Sequence, residues 1–517
     1  MIVPLCVVLL ATASAVPSVW PQPREAALGP SVLHISPQLQ FHGGNEVETL
    51  RLAYERYTTL MFPHPGAVPA SALPTIRAID VTVDDPCEAY PQLDTDEAYE
   101  LTVGADGAAA LSARTVYGAL HGLETLSQLV VYDFDSSLYV VTGCPLRIAD
   151  SPRYAHRGIL MDTSRHFQPI RSLERLIDAM SYAKLNVFHW HVVDKESFPF
   201  ESKTYPALWS GSYTKQERYE QEEVIALVEY ARLRGVKVMI ELDMPGHAQS
   251  WCAGYPEVCP SPECQQPLNP ASDATFPLIE SLLGECTGFA AREGMFPYDL
   301  IHLGADEVSY SCWEESAEIQ AWEKEMGFAG SEDTYKYFVD KAASIARSQG
   351  RLPVQWVEVF EHFGATLSND TIVHVWKDKS TLNEVVAAGY RALLSDNDLW
   401  YLDALSVTWD QMYENEPTSV MADVETTGPL LLGGEGCMWG ETVDPSDLDS
   451  TMWPRAAAIA ERLWTPEDKM DVDAAVGRIE AFRCLLTQRG VGAAPVLNSQ
   501  ARSAPPKAGS CYAQRRL

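Results

Sequence analysis

Eight short apolar runs, separated by segments long enough for a helix, constrain this chain more than any other feature. They are Arg157–Met161, Asn186–His191, Lys237–Leu242, Leu300–Leu303, Val354–Val359, Thr371–Trp376, Arg391–Leu394 and Leu430–Gly433. Each is rich in Val, Ile or Leu and lacks the polar alternation of a half-exposed strand, which suits parallel strands covered on both faces. Parallel strands need crossover connections of helix length. Helical periodicity at Ser172–Ala183, Glu222–Arg234, Thr334–Arg347 and Pro454–Leu463 supplies several of them. Eight such units over about three hundred residues predict an α/β fold, a (β/α)8 TIM barrel. An open doubly wound sheet is the alternative, but no glycine-rich phosphate turn follows any strand.

The chain has 517 residues, more than one ordinary domain. Ahead of the barrel, Ile79–Val83 and Tyr99–Val103 have strand periodicity, while Val47–Phe62 and Thr115–Val130 read as amphipathic helices. Residues 19–150 are therefore expected to form a small α+β domain, with Ser151-Pro152-Arg153 as the boundary to a barrel over 151–500. Met1–Ala15 is an apolar run ending in an Ala-x-Ala pattern, as in a cleaved secretory signal. No later stretch has membrane-spanning length. The net charge of −33 disfavours binding to nucleic acid or anionic membranes. With Cys6 in the signal, ten cysteines remain, and their clustering at Cys252, Cys259, Cys264, Cys286 and Cys312 fits an oxidising compartment better than a zinc site. Asn369-Asp370-Thr371 is the one N-glycosylation sequon.

In a barrel of this kind the chemistry sits where the strands end. Asp162 to His166 follow the first strand, His191 and Asp194 the second, Asp243 and His247 the third, and Asp306-Glu307 the fourth. Trp356 and Glu358 close the fifth, Trp376 the sixth, Tyr401 and Asp403 follow the seventh, and Trp439 and Glu441 the eighth. Carboxylates and indoles converging on one mouth describe a sugar pocket. Indole faces stack on the apolar face of a pyranose while carboxylates accept bonds from its hydroxyls.

These residues lie in recognisable motifs. Arg157-Gly158, Asp162-Thr163-Ser164-Arg165-His166, His189-Trp190-His191, Asp243-Met244-Pro245-Gly246-His247, His302 to Glu307, Trp400-Tyr401-Leu402-Asp403 and Gly434 to Glu441 resemble the family-20 glycoside hydrolases, the β-N-acetylhexosaminidases. The resemblance runs from about Trp20 to Cys511 and is nearest to lysosomal-type hexosaminidase subunits. It implies removal of terminal GlcNAc or GalNAc from glycoconjugates or chito-oligosaccharides, without cofactor or metal, commonly by a homodimer. It further implies a lysosomal, vacuolar or extracellular protein. In this family the substrate's own acetamide attacks the anomeric carbon. By resemblance Glu307 is the general acid/base, Asp306 holds the acetamido N–H and Tyr401 donates to its carbonyl. Arg157 and Glu441 would grip hydroxyls, Trp356, Trp376 and Trp439 would wall the pocket, and Asp194 and His247 would tune Glu307. Asp243 joins the substrate-binding set, and Asp403, followed by the uncharged Ala404, implies preference for neutral sugars.

Adjacent residues on a regular strand point to opposite faces, so the chain must leave β geometry at Asp306-Glu307. Ala305 stands where the family usually has glycine. The resemblance also implies disulfides Cys484–Cys511, tying down the tail 501–517, and Cys312 with Cys264 or Cys259; Cys144 is the candidate partner for Cys87. A catalytically silent sugar-binding protein on the same scaffold is the alternative function, one that would have no use for Glu307.

Overall fold

The computed structural model describes residues 18–64, 71–288 and 294–496. Met1–Ala15 and Cys511 lie outside them, and so therefore do the expected signal and the expected partner of Cys484.

The first unit is a six-stranded sheet: β1 (Glu25–His42), β2 (Thr75–Asp85), β3 (Tyr99–Val103), β4 (Ala109–Thr115), β5 (Val130–Asp133) and β6 (Leu138–Asp150), in the order β1-β2-β4-β3-β6-β5. The long β1 also pairs antiparallel with β6 through Glu25–His34 before running parallel to β2. Helices Glu48–Met61 and Val116–Leu129 cover one face and share a core with it. Both helices lie within a residue or two of the sequence reading, which missed β1, β4, β5 and β6.

The barrel follows: β7 (His156–Asp162), β8 (Val187–Val193), β9 (Lys237–Leu242), β10 (Leu300–His302), β11 (Leu352–Trp356), β12 (Ile372–Val375), β13 (Arg391–Leu394) and β14 (Leu431–Met438). Neighbours pair parallel, and β14 closes on β7. All eight expected runs are strands of this one closed sheet. The last extends to Met438 rather than stopping at Gly433, because its glycines mark close approach and not a break. A Cβ at Gly433 would sit 1.8 Å from the His156 carbonyl oxygen, and one at Gly434 2.3 Å from that of Leu394.

Inside the barrel, Val187, Met239, Leu300, Val354, Ile372 and Leu393 pack near the strand starts. Leu160, Trp356 and Cys437 pack near the strand ends, beneath Trp376, Tyr401 and Trp439. Between these apolar layers lie buried histidines and carboxylates, where barrels usually stack branched aliphatics.

The two units are locked by buried charge. Arg157, wholly buried, donates Nη1 and Nη2 to Glu97 at 3.0 and 2.8 Å and further protons to the Lys184 and Tyr154 carbonyls at 2.9 and 2.8 Å. The Lys184 ammonium bonds Asp150 at 3.1 Å. Among the described residues, no helix is long and apolar enough to cross a membrane.

Candidate active site

The fourth strand is short because the chain turns sharply after it. Gly304, Ala305 and Glu307 have φ of +64°, +74° and +47°. Left-handed backbone costs roughly 1–2 kcal/mol at a residue bearing a Cβ, and fixed partners hold this segment in it. Ala305 N–H donates to Asp243 Oδ1 at 3.0 Å, Trp356 N–H to the Gly304 carbonyl at 3.0 Å and Tyr335 O–H to the Ala305 carbonyl at 2.5 Å. The expected departure from β geometry is thus present, and it turns both acids towards one imidazole. His247 Nε2 lies 3.6 Å from Asp306 Oδ2 and 3.5 Å from Glu307 Oε2. Asp306 sits at the floor with its side chain 13% exposed, and Glu307 at the rim with 58%.

Charge separates the roles of these groups. Burial pushes the Asp243 carboxyl well above its usual range, and the nearby Asp306 adds to the shift. Two carboxyls this close share a proton. Burial raises the Asp306 carboxyl as well, but His247 and a bond with Asp243 hold it down, so of the two Asp243 is the one that keeps the proton. His247 is pushed up to about 12: burial opposes its charge, but Asp306, Asp194 and Glu307 overcome that. The bond from His247 in turn lowers the Glu307 carboxyl, against partial burial. Asp194 Oδ1 accepts from His247 Nδ1 at 3.1 Å, which places Asp194 behind the imidazole.

Trp376, Tyr401 and Trp439 cluster at the mouth. Trp376 stacks on Tyr401 with centroids 6.3 Å apart and planes at 16°, and Tyr401 tilts against Trp439 at 6.1 Å. Trp376 is fixed by donating Nε1 to the buried Glu358 at 3.0 Å. Burial, with Asp306 nearby, raises the Glu358 carboxyl to about 7. On the opposite rim, burial lifts Asp403 to about 6, with exposed Glu441 contributing, and Asp403 Oδ1 has no partner among the described residues. A buried acceptor in that condition suits a hydroxyl donor.

Two expected residues are elsewhere. Trp356 is 1% exposed and gives its Nε1 proton to Glu241 at 2.9 Å, so it supports the pocket floor and is not a wall. Arg157 lies at the start of β7, the closed end of the barrel, in its bond with Glu97. Its place at the mouth is taken by Arg165, just past the end of β7. Arg165 bonds Asp162 at 3.1 Å, Asp194 at 2.7 Å and Glu196 at 3.1 Å, and lies 5.4 Å over the Trp439 ring. Burial disfavours its charge, yet Asp162 and Asp194 hold it cationic, with Glu441 within electrostatic reach. The strand-end rule itself favours Arg165, since Arg157 begins the strand and Arg165 follows its end.

Cys264–Cys312 joins the loops after β9 and β10, and Cys252–Cys259 closes a smaller ring in the first of these. Cys484 is disulfide-bonded. The proposed pair Cys87 and Cys144 is not formed: the first is an exposed thiol and the second a buried one. Groups such as His189, Glu241 and His302 are close enough to share a cation, but they already engage one another at hydrogen-bond distance.

A barrel whose mouth brings together consecutive acids, clustered aromatic rings and an ion-paired arginine suits a glycoside hydrolase. The sequence pattern described as "Glycosyl hydrolase family 20, catalytic domain" matches residues 154–467, and "beta-acetyl hexosaminidase like" matches residues 19–129. The chain belongs to glycosyl hydrolase family 20. Its family-20 relatives include "Beta-hexosaminidase 1" of Arabidopsis thaliana, 40% identical over 97% of this chain and 95% of that one. "Beta-hexosaminidase subunit beta" of Homo sapiens is 36% identical over 93% of this chain and 89% of its own length. Among solved structures, a Flavobacterium johnsoniae chitobiase superposes with a TM-score of 0.80 at 28% identity, over 92% of this family-20 chain and 73% of that one.

Proposed function

We propose that this family-20 enzyme is an exo-acting β-N-acetylhexosaminidase working by a retaining, substrate-assisted mechanism. The observation that carries it is the turn at Gly304–Glu307, which aims a buried anion and a rim acid into one aromatic-walled pocket. Two protein carboxylates serving as acid and nucleophile would flank the scissile bond; here the second, Asp306, lies at the floor beside Asp243 and Tyr401, where an acetamide would rest.

Glu307, protonated, gives its proton to the glycosidic oxygen as the bond to the anomeric carbon breaks. The acetamido carbonyl oxygen attacks that carbon from the opposite face and forms an oxazolinium ring. The Asp306 carboxylate accepts the N–H and balances the positive charge, while Tyr401 O–H donates to the carbonyl oxygen. Glu307, now the base, takes a proton from water, whose oxygen attacks the anomeric carbon and reopens the ring with net retention. Arg165, Asp403 and Glu441 bind the hydroxyls. Ala404 beside Asp403 supplies no cation of its own for a sulfate or sialyl carboxylate, and the buried Arg455 there is committed to the Leu402, Ala404 and Val407 carbonyls, so neutral GlcNAc or GalNAc termini are the substrates, on chito-oligosaccharides or glycoconjugates.

Comparing 4-nitrophenyl β-GlcNAc, β-GalNAc and β-glucoside tests this reading. Both amino sugars should turn over and the glucoside should remain essentially intact; equal cleavage of the glucoside would defeat it. A 6-sulfated substrate cleaved as fast as the neutral one would defeat the preference for neutral termini. The two disulfides near the mouth support a secretory-pathway protein of lysosome, vacuole or extracellular space. Relatives named as subunits support an assembly of more than one chain; a homodimer is the form proposed, and sedimentation equilibrium tests it.

A further inference from the structure

Below the pocket, acidic and imidazole side chains alternate down the barrel axis. From the bottom, Glu435 Oε2 meets His189 Nδ1 at 2.8 Å, and His189 Nε2 lies 3.1 Å from Glu241 Oε2. Glu241 Oε2 meets His191 Nδ1 at 2.6 Å, and His191 Nε2 meets Asp194 Oδ2 at 2.8 Å. Asp194 Oδ1 meets His247 Nδ1, whose far nitrogen faces Asp306 and Glu307. Glu435, His189, Glu241 and Asp194 are wholly buried and His191 is 1% exposed. The room for this column is built into the strands: a Cβ at Gly158 would fall 2.5 Å from Glu435 Cγ.

An imidazole between two carboxylates satisfies both only when both its nitrogens carry protons. His191 meets that condition, and Glu241 and Asp194 raise its pKa well above the usual value against its burial. Glu241 is held ionised by His302, His191 and His189, with the Trp356 N–H as a further donor. Asp194 receives Arg165 as well as His191 and His247. The groups facing His247 are Arg165, Asp194, Asp243, Asp306 and Glu307, from the loops after β7 to β10. Anions predominate there, and the imidazolium is their counter-charge.

We infer that His191 and Glu241 are positioning residues for the acid–base chemistry. Neither reaches the pocket; together they keep Asp194 an anion, so that His247 stays protonated against Asp306 and Glu307. The inference deepens the glycosidase reading and rests on it. The column sets the positive charge of His247 at the mouth, which lowers Glu307 and works against the burial that raises Asp306.

The test is the pH dependence of kcat/KM on 4-nitrophenyl β-GlcNAc for wild type, Glu241→Gln and His191→Gln. Each substitution keeps side-chain size and polarity and removes one rung of charge. With His247 held protonated less strongly, its bond lowers Glu307 less, and the limb set by Glu307 should move alkaline by about one pH unit. His374→Gln is the control, since His374 lies in the same buried layer but bonds Ser395 and His302 rather than the column. It should leave the pH limbs unmoved even if it lowers stability. Should the substituted chains not fold, neutron diffraction of the wild type reads the same claim: hydrogen on both ring nitrogens of His191 and His247 is expected, and one on either ring overturns it. An active wild type with unmoved limbs in folded Glu241→Gln and His191→Gln sinks this inference alone. A wild type inert on 4-nitrophenyl β-GlcNAc sinks the glycosidase reading and this inference with it.

Discussion

Arg157 and Arg165 stand eight positions apart on one strand and its following loop, and exchanging each for glutamine should produce opposite signatures. Arg157 makes a two-pronged bond to Glu97 and two more to backbone carbonyls, all out of solvent. Its removal leaves Glu97, among the described residues, with His121 and Asn186 as hydrogen-bond partners and Lys237 within electrostatic reach. Breaking a buried pair from one side costs about 3–5 kcal/mol, so Arg157→Gln should show a clear fall in denaturation midpoint. Its folded fraction should keep wild-type kcat/KM, because nothing at the mouth has changed. Arg165 also balances buried Asp162 and Asp194, so Arg165→Gln will lose some stability too. Its distinguishing effect is on catalysis. Losing a charged contact to substrate, together with part of the field on Asp194, amounts to about 2–4 kcal/mol, or roughly 30- to 1,000-fold in kcat/KM. The assay is steady-state hydrolysis of 4-nitrophenyl β-GlcNAc, normalised to folded protein by circular dichroism and paired with a denaturation curve. A large kcat/KM loss for folded Arg157→Gln, with Arg165→Gln near wild type, would refute the assignment.

Glu307→Gln should cost about 10²–10⁴-fold on chitobiose, less on a 4-nitrophenyl glycoside whose leaving group needs little protonation; equal losses on both would contradict the acid role. Tyr401→Phe removes one donor to the developing charge and should lower kcat about 10- to 100-fold with little change in KM. Arg153 and Thr418 hold Glu416 down to about 2 against its burial, from an ordinary 4.5. A depressed carboxyl contributes stability that is fully present above pH 4.5 and lost as pH falls towards 2. Arg153→Met should flatten the stability–pH curve over that window, as measured by urea denaturation. Asn369 is exposed in a turn just ahead of β12, away from the mouth, so Asn369→Gln should abolish an endoglycosidase-sensitive mass increment and leave kcat/KM unchanged.

The barrel was legible because its strands are buried on both faces and so read as unbroken apolar runs, with chemistry-bearing residues just beyond them. What lies inside it was not. His189 and His191 flank Trp190, and the run reads as apolar with incidental histidines; only closure of the barrel brings them against Glu241 and Glu435, which come from strands far away in sequence. The resemblance places Trp356 among the pocket walls with Trp376 and Trp439, yet side-chain direction at the end of its strand decides between wall and floor. The edge-rich first sheet was half visible: β1 alternates irregularly and changes partner along its length, so it has no single period. Glu358 and Lys377, which pair at 2.9 Å and steady Trp376, were separated by a strand and a helix and gave no joint signal.

In the proposed substrate-assisted mechanism the acetamide oxygen, and not a protein carboxylate, attacks the anomeric carbon. Its most direct measurement is kcat for 4-nitrophenyl glycosides whose acetamide carries no, one, two or three fluorines. Each fluorine weakens the carbonyl oxygen as a nucleophile while barely changing the leaving group, so kcat should fall steeply and progressively along the series. A flat series would place the nucleophile on the protein and contradict the account.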